Sequence, residues 1–407
     1  MAAVAVTVTR PPKEQAQDAP RPAHHMNNTK SLFTNPWPSF RDASISTMGG
    51  FMYKLTTAAP KPEKDIEKVL KLQTPTWGQG AQKSDLKATW LGHACFLVEL
   101  PTPEGAQRGA RILFDPVFSN RCSPFSFMGP ARYTRPPCPM ESIPDVDIVV
   151  ISHNHYDHMD TPTLTTLRNV HNPHFFAPLN NEDTFVSVDI AGTHFHCLDW
   201  WEDREVSVEL PALTQQKADG SVAENPVVTF RLTCTPSQHQ TARGLFDRFH
   251  TLWASWAVEE LPVTKSEETT ATTITPVKTG FKVWFGGDTG YRHVEDGEDE
   301  EKVPVCPAFK EIGEKFGGFD LALIPIGAYN PRQAMSSWHA SPSDAVRIFQ
   351  DIRAKKAIGM HWGTWVLTIE PILEPPQLLA QEVKKAGLTE DAFNICGLGE
   401  TVIVPPS

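Results

Sequence analysis

The chain has 407 residues, a formal net charge of −11 and 40% hydrophobic residues. This composition excludes disorder along the whole chain and any overall basic field that would collect nucleic acid. The seven cysteines are odd in number and never spaced as CxxC, so they fit neither a disulfide framework nor a thiolate zinc site and favour a reducing compartment. No apolar run reaches the length that a membrane-spanning helix needs.

The N-terminal region, residues 1–30, is rich in Pro, Ala and Gln and has no hydrophobic periodicity. It is predicted to be a disordered arm. Residues 31–407 are predicted to form one catalytic domain. Two polar stretches inside it, near 264–278 and 295–302, are predicted to be surface insertions, because charged and Thr-rich runs are usually solvated loops.

The arm also bears on localisation. Arg10, Lys13 and Arg21 leave a mitochondrial presequence possible, whereas Glu14 and Asp18 weigh against one. We therefore expect an intracellular protein that is peripheral to a membrane, with a mitochondrial location as the less favoured alternative.

Short β-branched or aromatic runs along the chain predict strands. These runs are Ala88 to Leu91, Cys95 to Leu100, Ile112 to Phe114, Ile148 to Ile151, Val227 to Thr233, Leu252 to Val258, Lys282 to Phe285, Leu321 to Ile324 and Ala357 to Met360. A helix is predicted after Ser341, where Ser-Pro-Ser-Asp supplies an N-cap, and another from about Pro376 to Ala386, closed by Gly387. The pattern suggests two packed sheets with helices outside, although it also fits other mixed folds.

The stretch ISHNHYDHMD, residues 151–160, crowds metal-capable side chains behind an apolar strand. In an extended backbone, residues two apart face the same way, so His153 and His155 should project together. Asp157 and His158 come from the turn that follows. A lone histidine is more often a hydrogen-bonded surface residue, but two pairs of ligands in one turn suit two neighbouring metal ions better than one.

Further metal ligands are expected just beyond three other predicted strands. His239 lies in TPSQH, Asp288 in VWFGGDTGY and His361 in IGMHWGT. The paired glycines before Asp288 let the backbone turn sharply, and a carboxylate has two oxygens with which to bridge two metals.

Together these motifs resemble the N-acylphosphatidylethanolamine-hydrolysing phospholipase D family of the metallo-β-lactamase superfamily. The resemblance extends from about residue 33 to residue 400. It rests on FTNPWPSF, TWLGHACF, DPVFSNRCSP, LDWWE, TPSQH, GDTGY, CPAFKEIGEKFGGFDLALIPIGAY, WHASPSDAVRI and HWGT. It implies an α+β fold, the four-layer αββα sandwich of metallo-β-lactamases.

The resemblance also implies roles for individual residues. The first metal would be bound by His153, His155 and His239, the second by Asp157, His158 and His361, and Asp288 would bridge them. The implied cofactor is two Zn²⁺, although imidazole ligands also accept other divalent transition metals. Asp288 and His339 are the expected catalytic residues. From their positions in the sequence, Tyr156 and His339 are the expected substrate-binding residues, although Tyr156 could equally be buried beneath the site and His339 could be an interfacial histidine packed by Trp338. Asp115 and His93 are expected to orient ligands rather than to catalyse.

The implied reaction is hydrolysis of N-acylphosphatidylethanolamine to N-acylethanolamine and phosphatidic acid by a dimetal-activated hydroxide. The alternative is a hydrolase of the same fold that acts on a small soluble ester, lactone or phosphodiester. A nuclease is disfavoured by the acidic composition, and an inert metal-binding protein by the ligand set. The family also suggests a homodimer.

A lipid substrate requires contact with a membrane. Aromatic and other apolar residues that could form such a surface are Phe33, Trp37, Phe40, Phe125, Phe127 and Met128. Aromatic residues more often belong to the core or cover a subunit interface, but the lipid substrate favours membrane contact.

Overall fold

The computed structural model describes residues 5–11, 20–214, 223–262 and 280–406. The expected insertion near 264–278 lies outside the described residues. The strands are β1 Val6–Thr9, β2 Leu86–Gly92, β3 Cys95–Glu99, β4 Arg111–Phe114, β5 Ile148–Val150, β6 His174–Pro178, β7 Phe195–Leu198, β8 Asp203–Glu209, β9 Val227–Thr235, β10 Ser255–Glu260, β11 Lys282–Phe285, β12 Leu321–Pro325, β13 Ala357–Met360, β14 Phe393–Asn394 and β15 Thr401–Val404. The helices are α1 Ile45–Ala58, α2 Ile66–Val69, α3 Thr161–Val170, α4 Glu182–Ser187, α5 Ala308–Phe316, α6 Arg332–Met335, α7 Pro342–Asp351 and α8 Glu374–Lys385, with a 3-10 turn at Met140–Ser142.

These strands form two mixed sheets. One has eight strands in the order β1-β8-β9-β10-β11-β12-β13-β14, and the other has seven in the order β15-β2-β3-β4-β5-β6-β7. Strands β11 to β14 are mutually parallel, as are β4 to β7, while the remaining pairs are antiparallel. Each predicted strand overlaps an observed one.

The two sheets pack face to face. Successive side chains in a strand point to opposite faces, so one strand can contribute to a core on each side of its sheet. In β5, Ile148 and Val150 enter the core that both sheets share, whereas Val149 enters a second core on the outer face. Leu164 and Leu167 of α3 belong to that outer core. The seven-stranded sheet is therefore covered by α3, and α4 lies beside β7.

Helices α5, α7 and α8 cover the outer face of the eight-stranded sheet, where α7 packs on β12 and α8 on β14. The layer order is thus helix, sheet, sheet, helix, which confirms the expected α+β, four-layer αββα sandwich.

The predicted start of α7 is confirmed. Ser341 accepts a hydrogen bond from the Asp344 N–H at 3.2 Å, and Asp344 accepts one from the Ser341 N–H at 3.1 Å, forming a capping box. The Asp344 carboxylate is buried between the guanidinium groups of Arg292 and Arg332, each 2.7 Å away. This local arrangement fixes the chain directly after His339.

The strand ends determine where the metal-capable residues meet. Strands β4 and β5 run parallel and end just before Asp115 and His153. Strand β9 runs in the same direction as β11, since both are antiparallel to β10. His239, Asp288 and His361 follow the ends of β9, β11 and β13. All of these side chains consequently gather at one edge of the sandwich.

The prediction of a disordered arm over residues 1–30 is wrong for its described parts. Val6–Thr9 forms an edge strand antiparallel to β8, with Val6 opposite Val208 and Thr9 opposite Glu205. The unpaired edge of β8 offers backbone groups that an alternating VTVT segment can satisfy. Further along, His24 and His25 are buried.

The predicted apolar surface is also corrected in part. Phe33 is fully buried, the Trp37 ring stacks on Trp200 and the Phe40 ring packs against Phe249. These three residues cover the core. In contrast, the side chains of Phe125, Phe127 and Met128 are 46%, 77% and 55% exposed.

The expected insertion Glu295 to Lys302 is a mostly exposed loop.

All seven cysteines lie among the described residues and are free thiols. Of the helices that the structure describes, none has both the length and the hydropathy to cross a membrane.

Candidate metal centre

A first cluster of metal-capable side chains joins three histidines from two loops. His153 Nε2 lies 2.8 Å from His155 Nδ1, which is 3.3 Å from His239 Nε2. One ligand atom of each, together with one of Asp288, lies within 4.8 Å of the others. We call His153, His155, His239 and Asp288 the first cluster.

A second cluster consists of His93, Asp157, His158 and His361, again with one ligand atom of each within 4.8 Å of the others. Asp157 Oδ2 lies 3.5 Å from His158 Nε2 and 3.7 Å from His361 Nε2. His93 joins through Asp157 Oδ2, which is 3.0 Å from its Nε2. The expected ligands therefore come together, and His93 holds the carboxylate of one of them.

Asp288 lies between the two clusters. Its Oδ1 is 2.9 Å from His361 Nε2, and its Oδ2 is 3.1 Å from His158 Nε2. The same Oδ2 is 3.8 Å from His239 Nε2 and 3.9 Å from His153 Nε2. A single carboxylate thus faces donors of both clusters.

The paired glycines before Asp288 make this approach possible. Gly287 has φ +56°, and a Cβ at this position would lie 2.4 Å from the Cβ of Ser152. Only glycine lets the loop after β11 come this close to the turn that carries His153.

Several buried atoms of the two clusters make no contact with hydrogen-bond geometry in the described part of the chain, although some lie at ion-pair distance from one another: His158 Nε2, Asp288 Oδ1 and both ring nitrogens of His361. Buried polar atoms are rarely left unpartnered, so this set needs a further group. Imidazole and carboxylate donors converging at such distances fit divalent transition metal ions, whose ligand atoms lie about 2.0–2.2 Å from the ion.

The electrostatics also favour cations. Burial alone would lower the pKa of His361, but Asp288 and Asp157 raise it to about 9. Burial opposes charge on His158 as well, yet Asp288, Asp157 and Asp115 raise its pKa well above the usual range. The carboxylates therefore stabilise positive charge at His158 and His361, where a metal ion could replace a proton.

In the first cluster, burial holds the pKa of His153 and of His239 well below the usual range. Both rings are neutral at neutral pH and can offer a lone pair. His239 Nδ1 donates a hydrogen bond to the Trp338 carbonyl at 2.8 Å. This leaves the lone pair of Nε2 for a metal ion.

Asp115 orients His158 from outside the cluster, at 2.6 Å between Oδ2 and Nδ1. The backbone N–H of Ser152 donates to the other oxygen of this carboxylate at 2.7 Å. Asp115 has φ +36°, an uncommon backbone conformation for a residue with a side chain. Its position agrees with the expected orienting role.

Arg243 also supports the site, although the sequence did not indicate it. Its Nη1 donates to the carbonyls of Asn154 and Met159 at 2.7 and 2.9 Å, so it holds both ends of the turn that carries the candidate ligands. Its guanidinium lies 4.0 Å from the Tyr156 ring centroid. No local pattern around Arg243 indicates this role, because the contact is formed only by folding.

The expected substrate-binding residues border a cavity of about 220 Å³ next to the clusters. Tyr156 lines it, but its hydroxyl donates to the Arg243 carbonyl at 3.2 Å. His339 also lines it; its Nδ1 has no hydrogen-bond partner among the described residues and lies 3.8 Å from Asp288 Oδ2. Burial lowers the pKa of His339 to about 4. The remaining wall is formed by Cys122, Pro130, His155, Asp157, Asp288, Ala328, Met335, Leu367 and Thr368.

A model of the β-lactamase superfamily domain matches residues 110–362, a range that contains every residue of the two clusters except His93. N-acyl-phosphatidylethanolamine-hydrolyzing phospholipase D 1 of Caenorhabditis elegans is 34% identical over 84% of this chain and 82% of its own length. The mitochondrial N-acyl-phosphatidylethanolamine-hydrolyzing phospholipase D of Saccharomyces cerevisiae is 27% identical over 92% of this chain and 66% of its own length. Among solved structures, an isothiocyanate hydrolase from Delia radicum gut bacteria covers 78% of this chain and 98% of its own, with a TM-score of 0.49 and 14% identity.

Proposed function

The chain belongs to the N-acylphosphatidylethanolamine-hydrolysing phospholipase D family of the β-lactamase superfamily, and from this premise we propose that it is a phospholipase D-type phosphodiesterase. Membership makes it a metal-dependent hydrolase. The proposed reaction cleaves N-acylphosphatidylethanolamine into N-acylethanolamine and phosphatidic acid. The position of Asp288 between the two clusters supports a dimetal hydrolase, and the 34% identity to the Caenorhabditis elegans enzyme supports the phospholipid substrate.

The proposed cofactor is a pair of Zn²⁺ ions, with His153, His155 and His239 holding one and Asp157, His158 and His361 the other. Asp288, which faces both clusters, would help to hold both ions. When bound, such a pair supplies a hydroxide nucleophile at neutral pH and positive charge for a phosphoryl oxygen. His93 and Asp115 keep Asp157 and His158 in place through contacts of 3.0 and 2.6 Å.

His339 is proposed to act on the substrate rather than on a metal. Its imidazole borders the cavity, and no described residue hydrogen-bonds its Nδ1. Burial lowers its pKa to about 4, so it is neutral before the substrate binds. The negative phosphodiester would favour the protonated ring, which can then donate to a phosphoryl oxygen or give its proton to the leaving alkoxide.

The cavity wall supports a lipid substrate, because Pro130, Met335 and Leu367 line it beside the polar cluster residues. Exposed apolar side chains stand on loops that reach the same cavity. The Cys122 to Pro130 loop carries Phe127, and the loop that holds Tyr156 through Arg243 carries Leu245 and Phe246, which are 91% and 92% exposed.

Peripheral contact with a membrane through these loops is part of the proposal, since a two-tailed substrate must be drawn from a bilayer. A homodimer and an intracellular location remain proposals as well. The yeast relative is named as mitochondrial, which keeps that compartment as a candidate.

The decisive experiment is hydrolysis of a defined N-acylphosphatidylethanolamine by purified protein of known metal content. Asp288→Asn is compared with Asp351→Asn, which alters a carboxylate that contacts Tyr291 at 2.9 Å and lies outside both clusters. Release of N-acylethanolamine that requires metal and is lost only in Asp288→Asn supports the proposal. Turnover of a matched soluble phosphodiester or a lactone, without turnover of the lipid, rejects the lipid substrate and favours the alternative reaction.

A further inference from the structure

Residues 20–42 form a segment, here called the strap, that leads to the metal centre. Near its start, His24 Nε2 and His25 Nε2 lie 2.7 and 2.9 Å from oxygens of Asp199. Further along, the Phe33 N–H donates to the Phe249 carbonyl at 2.9 Å. The strap is therefore fixed to the domain on both sides of residue 30.

Asn35 connects the strap directly to a candidate metal ligand. Its Nδ2 donates to the His239 carbonyl at 2.7 Å, and its Oδ1 accepts from the His239 N–H at 3.2 Å. Asn35 is only 7% exposed. One amide side chain thus satisfies both backbone groups of His239, which stands in a loop beyond β9 without sheet partners of its own.

The neighbouring residue is tied to the strap as well. Ser39 Oγ donates to Gln238 Oε1 at 2.6 Å, while Gln238 Nε2 donates to the Ser337 carbonyl at 3.0 Å. The Gln238 N–H donates to Thr289 Oγ1 at 2.9 Å. The strap therefore supports the loops that carry His239, Asp288 and His339.

We propose that Asn35 is a positioning residue for His239 and that it sets how tightly the first cluster holds its metal ion. This inference rests on the proposed dimetal function. Among the described residues, no hydrogen bond joins the strap to His93, Asp157, His158 or His361. Within the described part of the chain, Asn35 itself hydrogen-bonds only to His239, a member of the first cluster, so its loss should act on the first ion.

The physical reason is that a metal-binding imidazole needs a fixed ring position, and groups that orient ligands commonly change metal affinity by about 10- to 100-fold. The Nδ1 contact with Trp338 fixes the rotation of the His239 ring. Asn35 fixes the backbone from which the ring extends. Without Asn35, the ring must be ordered by the ion itself, which weakens binding.

The test measures bound zinc per chain by elemental analysis as a chelator is increased, so it needs no activity assay. The variants are Asn35→Ala, which removes both hydrogen bonds, and Asn35→Asp, which keeps the acceptor for the His239 N–H. The control is Asn181→Ala, since buried Asn181 donates to the Pro178 carbonyl at 2.9 Å, away from both clusters.

The expected result is that wild type and Asn181→Ala release two ions at similar chelator concentrations. Asn35→Ala should release one of its two ions at a roughly 10- to 100-fold lower concentration, with the other unchanged, and Asn35→Asp should fall between. Equal release from Asn35→Ala and wild type, or a parallel weakening of both ions, would overturn the inference.

If Asn35→Ala does not fold, the test uses Asn35→Asp alone. Release of both ions from Asn35→Asp at the chelator concentrations that wild type requires would reject the positioning role of Asn35. A wild-type protein that binds fewer than two ions would contradict the dimetal proposal itself, before any variant is compared.

Discussion

His158 is held from both sides by carboxylates: its Nδ1 lies 2.6 Å from Asp115 Oδ2, and its Nε2 lies 3.1 Å from Asp288 Oδ2. Asp115 is in turn fixed by Ser152, whose hydroxyl donates to Oδ2 at 2.5 Å. One carboxylate therefore orients the ring, while the other shares the position where a cation is expected. Asp288 is therefore a candidate metal ligand, whereas Asp115 positions the ring of another candidate ligand.

Replacing the orienting carboxylate should weaken metal binding without removing a ligand. In Asp115→Asn, we expect zinc affinity to fall about 10- to 100-fold, because the ring of His158 loses its charged partner. Chelator competition measures the change, and excess zinc should restore hydrolysis. If Asp115→Asn retains wild-type affinity, the carboxylate does not set the position of this ring.

His339 should affect catalysis and leave metal binding intact. In His339→Gln, kcat should fall by roughly 10²- to 10⁴-fold, the usual contribution of a positioned proton donor. Zinc per chain should equal that of wild type and of His250→Gln, which alters an exposed histidine outside the clusters. Loss of one ion in His339→Gln would instead identify His339 as a ligand.

The exposed aromatic rings should determine how strongly the protein binds lipid vesicles. Replacing Phe127 and Phe246 by Ser should lower vesicle binding by tenfold or more, since burying such a ring stabilises by roughly 1.5–3 kcal/mol. Hydrolysis of a soluble phosphodiester should be unchanged. Val186→Ser is the control, because Val186 is 60% exposed on α4. Unaltered sedimentation of the double variant with vesicles would reject these loops as the membrane contact.

Because of the buried Asp344 carboxylate, the free energy of unfolding should change with pH in the acidic range. Burial alone would raise its pKa, but Arg332 and Arg292 together hold it below the usual value. A carboxyl group with a lowered folded-state pKa stabilises the protein above its unfolded pKa, near 3.9, and this contribution is lost as pH falls through the lower folded value.

Asp344→Asn should therefore be less stable than wild type at pH 7, by about 3–5 kcal/mol, because it leaves buried arginines without their carboxylate. The difference should shrink as pH falls below about 4. Thermal unfolding of the metal-free proteins at several pH values checks this. A difference that stays constant down to acidic pH would mean that the charge of Asp344 contributes little.

Features that depend on neighbours along the chain could be predicted from the sequence. Alternating or continuous apolar runs located the strands that carry the site, and the Ser341 to Asp344 pattern located the capping box. The HNHYDH turn placed four metal-capable residues close together, and the glycines before Asp288 indicated the sharp turn that Gly287 adopts. Such signals are readable because periodicity, caps and turns are local properties of the backbone.

Which distant residues support the site depends on how the chain folds. His93 contacts Asp157, Arg243 clamps the ligand turn and Asn35 holds His239 from 204 residues away. The fold also decided that Phe33 is buried while Phe127 is exposed, and that Val6–Thr9 pairs with β8. These outcomes depend on which surfaces meet when the two sheets pack, and a single sequence carries no local pattern that specifies such long-range contacts.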